Sequence, residues 1–221
     1  FPEAGTANDL PGTNHGALSD NTTAGIARWR AYEDSVLQQL RAIDSRSLGT
    51  GADRVLQGVL LDQVERAVGV RVCRLELWGV ASYVNGWQAS LTDLARVQPT
   101  GTDELRALAL QRARAIPRYI DNEVVLLQQG LRAGYSSPKV IVREVISQLD
   151  SLLAATPAQS PFSAPAQKDT TPAFQSAYHA IVRDEINPAV RRYRTFLQEK
   201  YLPAAREELG VAANPDGRAC Y

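Results

Sequence analysis

The stretch Thr102–Arg132, TDELRALALQRARAIPRYIDNEVVLLQQGLR, decides the fold. Leu105, Leu108, Ala113, Ile116, Ile120, Val124, Leu127 and Leu131 recur mostly at steps of three or four, which draws one nearly unbroken stripe along a helix. Asp103 and Glu104 place negative charge at its amino end, where the helix dipole favours it. Pro117 lies inside the stripe, and proline removes a backbone donor and crowds the preceding turn. A kink is expected there. Gly134 ends the run.

Working outward toward the carboxyl end, Ser137-Pro138 reads as a cap followed by proline at the first helical position. Ile141, Val145, Leu149 and Leu152 form the next stripe. Residues 154–171 hold Pro157, Pro161 and Pro165 among Ala, Ser and Gln without periodicity, and read as a linker or loop. A helix is expected from Pro172 to Ile186. Another starts at Pro188 with Val190, Tyr193, Leu197, Tyr201 and Ala205 inward, a kink at Pro203 and a stop at Gly210. Asn214-Pro215-Asp216-Gly217 is a turn signal that opens a further segment, so 172–221 reads as a helical region cut before a second half.

Toward the amino end, residues 1–21 are rich in Gly, Asn, Pro and Asp and read as an irregular arm. Thr22 or Thr23 is placed to cap a helix carrying Ile26, Trp29, Val36, Leu40 and Ile43 on one face. Leu56, Leu60, Val64 and Ala67 mark a second helix that Gly69 closes. Val70–Trp87 fits neither helical nor strand period. It reads as a loop between helices, with a buried helix or a short extended segment as alternatives and Asn85-Gly86 as a turn. Leu91–Val97 is a short helical piece before Pro99. Residues 22–153 thus form one helical region. The whole is all-α, a bundle or array of about seven or eight helices with kinks at Pro117 and Pro203.

Composition narrows the function classes. Lys+Arg and Asp+Glu are both 24, and this balance argues against nucleic acid as a partner, which demands a basic face. No apolar run reaches the ~18 residues of a membrane-spanning helix. Cys73 and Cys220 allow at most one disulfide, and Cys73, in an apolar-patterned stretch, reads as a buried small hydrophobe. Asn21-Thr22-Thr23 is a glycosylation triplet of a kind common by chance.

No complete catalytic constellation is present. His15 and His179 are too far apart in sequence for a His-Glu-x-x-His zinc helix. Gly134-Tyr135-Ser136-Ser137-Pro138 lacks the second glycine of a nucleophile elbow. Asp121 and Glu123, two apart, point to different sides of their helix. Glu76 and Asp93 sit in the region of unassigned period near Trp78, Asn85, Trp87 and Gln88, and such a polar-aromatic group can line a pocket. Against this stands the plainer reading, in which the tryptophans anchor the core and the amides satisfy loop backbone.

Several stretches taken together resemble one family. They are Leu18-Ser19-Asp20 to Ile26-Ala27-Arg28, Arg74-Leu75-Glu76-Leu77-Trp78, Asn85-Gly86-Trp87-Gln88, Ile116-Pro117-Arg118-Tyr119-Ile120-Asp121-Asn122-Glu123, Gly130-Leu131-Arg132-Ala133-Gly134-Tyr135, and Tyr201-Leu202-Pro203-Ala204-Ala205-Arg206 with Asn214-Pro215-Asp216-Gly217. In this order they resemble the amino-terminal half of the bacterial "domain of unknown function 885" proteins. The resemblance implies a largely helical protein, often exported or lipid-anchored. It also implies a carboxy-terminal half bearing a His-Glu helix motif like that of a zinc metallopeptidase. No metal ligand or catalytic residue carries over to this sequence, so zinc is expected in the second half and no cofactor in this one.

Three functions follow as expectations. The first is the helical wall of a metallopeptidase-like hydrolase cleft, with Glu76, Trp78, Asn85, Trp87, Gln88, Tyr119, Asp121, Glu123 and Tyr135 as candidate lining. Its partners would be the protein's own carboxy-terminal half and a peptide-like substrate. The second is a stand-alone, non-catalytic helical binding or scaffold module. The third is a carboxylate-based hydrolase using Glu76 and Asp93, which requires the two carboxyls within about 10 Å across a cleft.

Overall fold

A computed structural model describes residues 1–81 and 86–221. The fold is all-α. Among the described residues there is no strand, only an isolated bridge between Pro138 and Arg206. The chain divides into two units. Unit 1 comprises Phe1–Asn21 and Glu76–Leu209, and unit 2 comprises Thr22–Leu75 and Gly210–Tyr221.

Unit 1 contains α1 (Pro2–Ala7), and so a helix lies within the expected irregular arm. It continues with α4 (Trp87–Val97), α5 (Asp103–Arg132), α6 (Lys139–Ala154) and α7 (Ala164–Lys168). The deciding stretch is one continuous helix. Thr102 caps α5 by accepting the Leu105 N–H, and Ala109, Ala113, Ile116, Ile120 and Leu127 are buried along it. Its carboxyl end is a six-residue cap. Gly134, at φ 82°, takes the left-handed conformation, and Tyr135 N–H closes on the Gly130 carbonyl at 2.9 Å. A Cβ on Gly130 would collide with the Leu77 carbonyl oxygen, so the loop before α4 crosses the helix where only glycine fits.

The last helices depart from expectation. Pro188 does not start a new helix. α8 (Pro172–Ile181), a π-turn at Val182–Ile186, α9 (Asn187–Phe196), a second π-turn at Leu197–Tyr201 and α10 (Leu202–Ala204) follow one another with helical backbone throughout. Each π-turn ends two residues before a proline. Pro188 and Pro203 would otherwise press on the carbonyls of Asp184 and Glu199, four residues earlier. Both carbonyls lie within the widened turns, where the pitch accommodates the rings. The helix therefore keeps one buried face: Phe174, Tyr178, Ile181, Val182, Ile186, Val190, Tyr193, Leu197 and Tyr201 all belong to the core.

Two further expectations change. Residues 154–171 are packed, with a 3-10 turn at Pro161–Ser163 and with Phe162 and Ala166 in the core. Ser137 is not a helix cap. Its hydroxyl donates to the Trp78 carbonyl at 2.6 Å, and its N–H donates to the Tyr201 hydroxyl at 2.9 Å.

Unit 2 contains α2 (Thr23–Ala42), α3 (Gly51–Gly69) and, near the carboxyl end, α11 (Gly217–Cys220). Thr22 caps α2 by accepting the Gly25 N–H. The helix pair has little core. Leu37 is the buried side chain of α2, and α3 buries no residue fully. The expected stripe of α3 is displaced: Gln57, Leu61, Val64, Ala67 and Val68 are half-buried, while Leu56 and Leu60 are exposed with Val55 and Val59. Trp29 and Ile43, expected inward on α2, are exposed as well. Arg71 crosses to α2 and binds Glu33 and Asp34, each at 2.7 Å. Cys73 is buried, but not as a free thiol. It is bonded to Cys220, which staples the end of α11 to the 3-10 turn Val70–Cys73.

Candidate functional site

Tyr119 and Glu123 stand one turn apart on the same face of α5. Trp87, Ser90 and Leu91 lie on the first turns of α4. With Glu3 and Ala4 of α1 and with Ser19, they line one cavity of about 420 Å³. Ligand pockets start at roughly 300 Å³, so this one is large enough for an amino-acid-sized group. Trp87 is packed edge-on against Tyr193, with ring centroids 5.1 Å apart. Its indole Nε1 is buried with no acceptor in hydrogen-bond geometry among the described residues.

Arg112 holds the arm against α5. This side chain lies on α5 and is 4% exposed, and its guanidinium is spent on neutral oxygens. Nε donates to the Ala17 carbonyl at 2.8 Å, Nη1 to Gln98 Oε1 at 2.7 Å, and Nη2 to Thr6 Oγ1 at 2.9 Å and the Asn14 carbonyl at 3.2 Å. Burial lowers its pKa from the ordinary arginine value. Glu3 closes the arm on itself by accepting Ser19 N–H and Oγ–H, both at 2.6 Å.

Asn21 then fixes Glu123. Its Nδ2 donates to Glu123 Oε1 at 2.8 Å and to the Tyr119 carbonyl at 2.9 Å, while its Oδ1 accepts from Asn122 at 2.9 Å. Burial pushes the Glu123 carboxyl pKa up, and the Asn21 hydrogen bond only partly opposes this. Tyr119 and Tyr193 are also raised, by burial first and by Glu123 second. The shift widens the pH range over which this carboxyl is neutral, and the neutral form both donates and accepts. The Asn21 amide is fully used, so the glycosylation triplet has a structural role.

Of the expected lining residues, the structure thus brings together Trp87, Tyr119 and Glu123. Gln88 is buried, but it faces a different, open groove of about 510 Å³ shared with Gln148. There its Nε2 donates to the Ala81 carbonyl and to Gln148 Oε1. Trp78 lies under the Arg206 guanidinium at 5.6 Å. Tyr135 is buried in the cap of α5. Asp121 forms an exposed bidentate pair with Arg192. Glu76 is half-buried on the 3-10 turn Leu75–Leu77, and Asp93 is bound to Arg96 at 2.8 Å on an exposed face. Neither lines the Glu123 cavity. Asn85 lies outside the described residues. Sequence reasoning missed Glu3, Ser19, Asn21 and Arg112. Their partners are mostly 16 to 106 positions away, and no local pattern marks such pairs.

Among the described residues, no group of three or more His, Cys, Asp or Glu side chains could hold a metal ion. His15 Nδ1 pairs with Thr6 Oγ1 at 3.0 Å, and His179 stands on α8. The residues present do not fit a zinc site. Nor, among them, is any helix long and apolar enough to cross a membrane.

Comparison with protein families gives one match, over residues 2–221, to the family described as bacterial protein of unknown function (DUF885). The chain belongs to this family. The match takes in both units and every element that lines the Glu123 cavity, so the cavity lies within the DUF885 region itself. No curated protein matches this DUF885 chain significantly.

Proposed function

We propose that this DUF885 region is the substrate-binding helical wall of a hydrolase, with the cavity beside Glu123 holding part of a peptide-like substrate. The observation that carries the reading is the meeting of Trp87, Tyr119 and Glu123, from two helices, around one cavity of about 420 Å³. An aromatic wall with one buried, hydrogen-bonded carboxyl is the usual make-up of a ligand pocket. The zinc chemistry that the resemblance implies would be held by residues other than those of this chain, because no described cluster here fits a metal. The Cys73–Cys220 bond supports an exported protein, since disulfides persist in oxidising compartments.

Mapping by ¹H–¹⁵N and ¹H–¹³C spectra against small peptide amides and esters tests this reading. Shifts confined to Trp87, Tyr119 and Glu123, without turnover by residues 1–221, are the expected result. Turnover by this chain alone would overturn the assignment of a non-catalytic wall.

One observation favours a second reading, a non-catalytic scaffold module. Val55, Leu56, Val59 and Leu60 leave an apolar strip on α3 exposed. Shifts that map to this strip and leave the cavity unmoved would support the scaffold.

A further inference from the structure

The Glu123 cavity is lined from two sources that are held in place in unlike ways. The arm supplies Phe1, Glu3 and Ser19, while α4 and α5 supply Trp87, Tyr119 and Glu123. The helices are fixed by apolar burial: Leu91 and Leu94 of α4 share one core with Ala113, Ile116 and Ile120 of α5. The arm, residues 1–19, puts no side chain into that core. Leu18 packs against its edge, and Phe1 and Leu10 are 64% and 53% exposed. At six residues, α1 is too short to hold its helix alone. Polar ties hold the arm instead. Arg112 donates to Thr6, Asn14 and Ala17, and Gln98, at the end of α4, donates to the His15 carbonyl at 3.2 Å. Closing the arm therefore takes the Arg112 guanidinium out of water and returns neutral acceptors to it. Burial disfavours its charge, and Glu3 offsets this only in part. A buried charge without a bonded counter-ion costs free energy, and lifting the arm restores its water. The arm is thus held by a smaller margin than the core, which is the condition for a segment to open by itself.

We propose that the arm is a strap over the cavity: it opens as a unit while α4 and α5 stay folded, and an occupant that touches both linings holds it shut. The second half of this inference rests on the reading of the cavity as a binding site. Asn21 is the pivot, because its amide is bound to Glu123 and to the Tyr119 carbonyl, both on α5. A ligand that binds the closed form alone lowers the open population by a factor of 1 + [L]/Kd, through its differential affinity for the two states.

Native-state hydrogen exchange on the unmodified chain tests both halves. The N–H groups of Asn8 and Leu10, bonded to the Ala4 and Gly5 carbonyls, report the arm. Those of Ile120 and Leu127 report α5. Without ligand, the arm amides should open at least about a hundredfold more often than those of α5. The probe is N-acetylphenylalaninamide, an uncharged amide with an aromatic body, and its binding is followed at Trp87 in ¹H–¹⁵N spectra. At about nine times its Kd, protection of the arm and of α5 should both rise about tenfold. Equal protection of the arm and α5 without probe would overturn the strap, because the arm would then open only with the whole fold. A rise confined to α5 would overturn the coupling and leave the cavity reading intact, since the bound probe would be indifferent to the arm. Failure of the probe to bind at Trp87 would overturn the coupling together with the cavity reading.

Discussion

Asn21 donates its side-chain amide to the Glu123 carboxyl at 2.8 Å, across a sequence separation of 102. With the same nitrogen it reaches the Tyr119 carbonyl. One side chain therefore sets both the position of the arm and the state of the buried acid. Asn21→Ala should cost about 1–3 kcal/mol, the range for leaving a buried polar group unpaired. It should also raise the Glu123 pKa further, because the one interaction that lowers it is lost. Chemical denaturation measures the first effect, and ¹³C titration of the Glu123 carboxyl measures the second.

Two carboxyls should give stability opposite dependences on pH. Glu123 has a folded pKa above its ordinary 4.5, so its contribution is complete below that value and is lost as pH rises through the folded pKa. Asp169 is held down to about 2, first by the Thr171 N–H and then by Arg106. Its contribution is present above 3.8 and disappears as pH falls toward about 2. Melting temperature measured from about pH 2 to about pH 8 should show both limbs. Glu123→Gln should flatten only the upper limb, and Asp169→Asn only the lower.

Two glycines in helices should respond with opposite sign. Gly130→Ala drives a Cβ into the Leu77 carbonyl oxygen, and overpacking against backbone costs about 1–3 kcal/mol. Gly58→Ala, in α3, meets nothing within 4 Å and should stabilise by up to about 1 kcal/mol through helix propensity. Paired urea melts check both.

Loss of the disulfide should act on unit 2. The bond closes a sequence separation of 147, in a unit where α3 buries no residue fully. Removing such a staple typically costs about 2–5 kcal/mol. Cys73→Ser with Cys220→Ser should strip hydrogen-exchange protection from α2 and α3, while protection of α5 and α9 is retained. A uniform loss across both units would contradict this.

Arg112→Ala should release the arm. Four neutral oxygens lose their donor at once. Exchange protection of α1 should vanish first, before that of α5.

The fold was legible where one period ran long. The stripe from Leu105 to Leu131 specifies α5 because a buried helix face repeats its demand every turn. Leu56 and Leu60 misled for the complementary reason: an apolar stripe identifies a helix, but not which neighbour will cover it. Pro188 read as a boundary because sequence rules place proline at helix starts, whereas here a π-turn absorbs it. The site was legible in its aromatic residues and in Glu123. Arg112 and Glu3 carry no local signal, because only the folded arm brings Thr6, Asn14, Ala17 and Ser19 to them.

The two widened turns also bear on how this region tolerates change in length. Each holds what amounts to one surplus residue in an otherwise regular helix. Deleting a single residue within Val182–Ile186 would close the wide turn into an ordinary α-turn and leave the helix after it in register. Tyr193 would stay against Trp87 and Tyr201 against Ser137, but the room that the wide turn gives the Pro188 ring would be lost. A change of one residue in length is thus absorbed locally in these turns, whereas the same change elsewhere in the helix would rotate the whole face beyond it by roughly 100°.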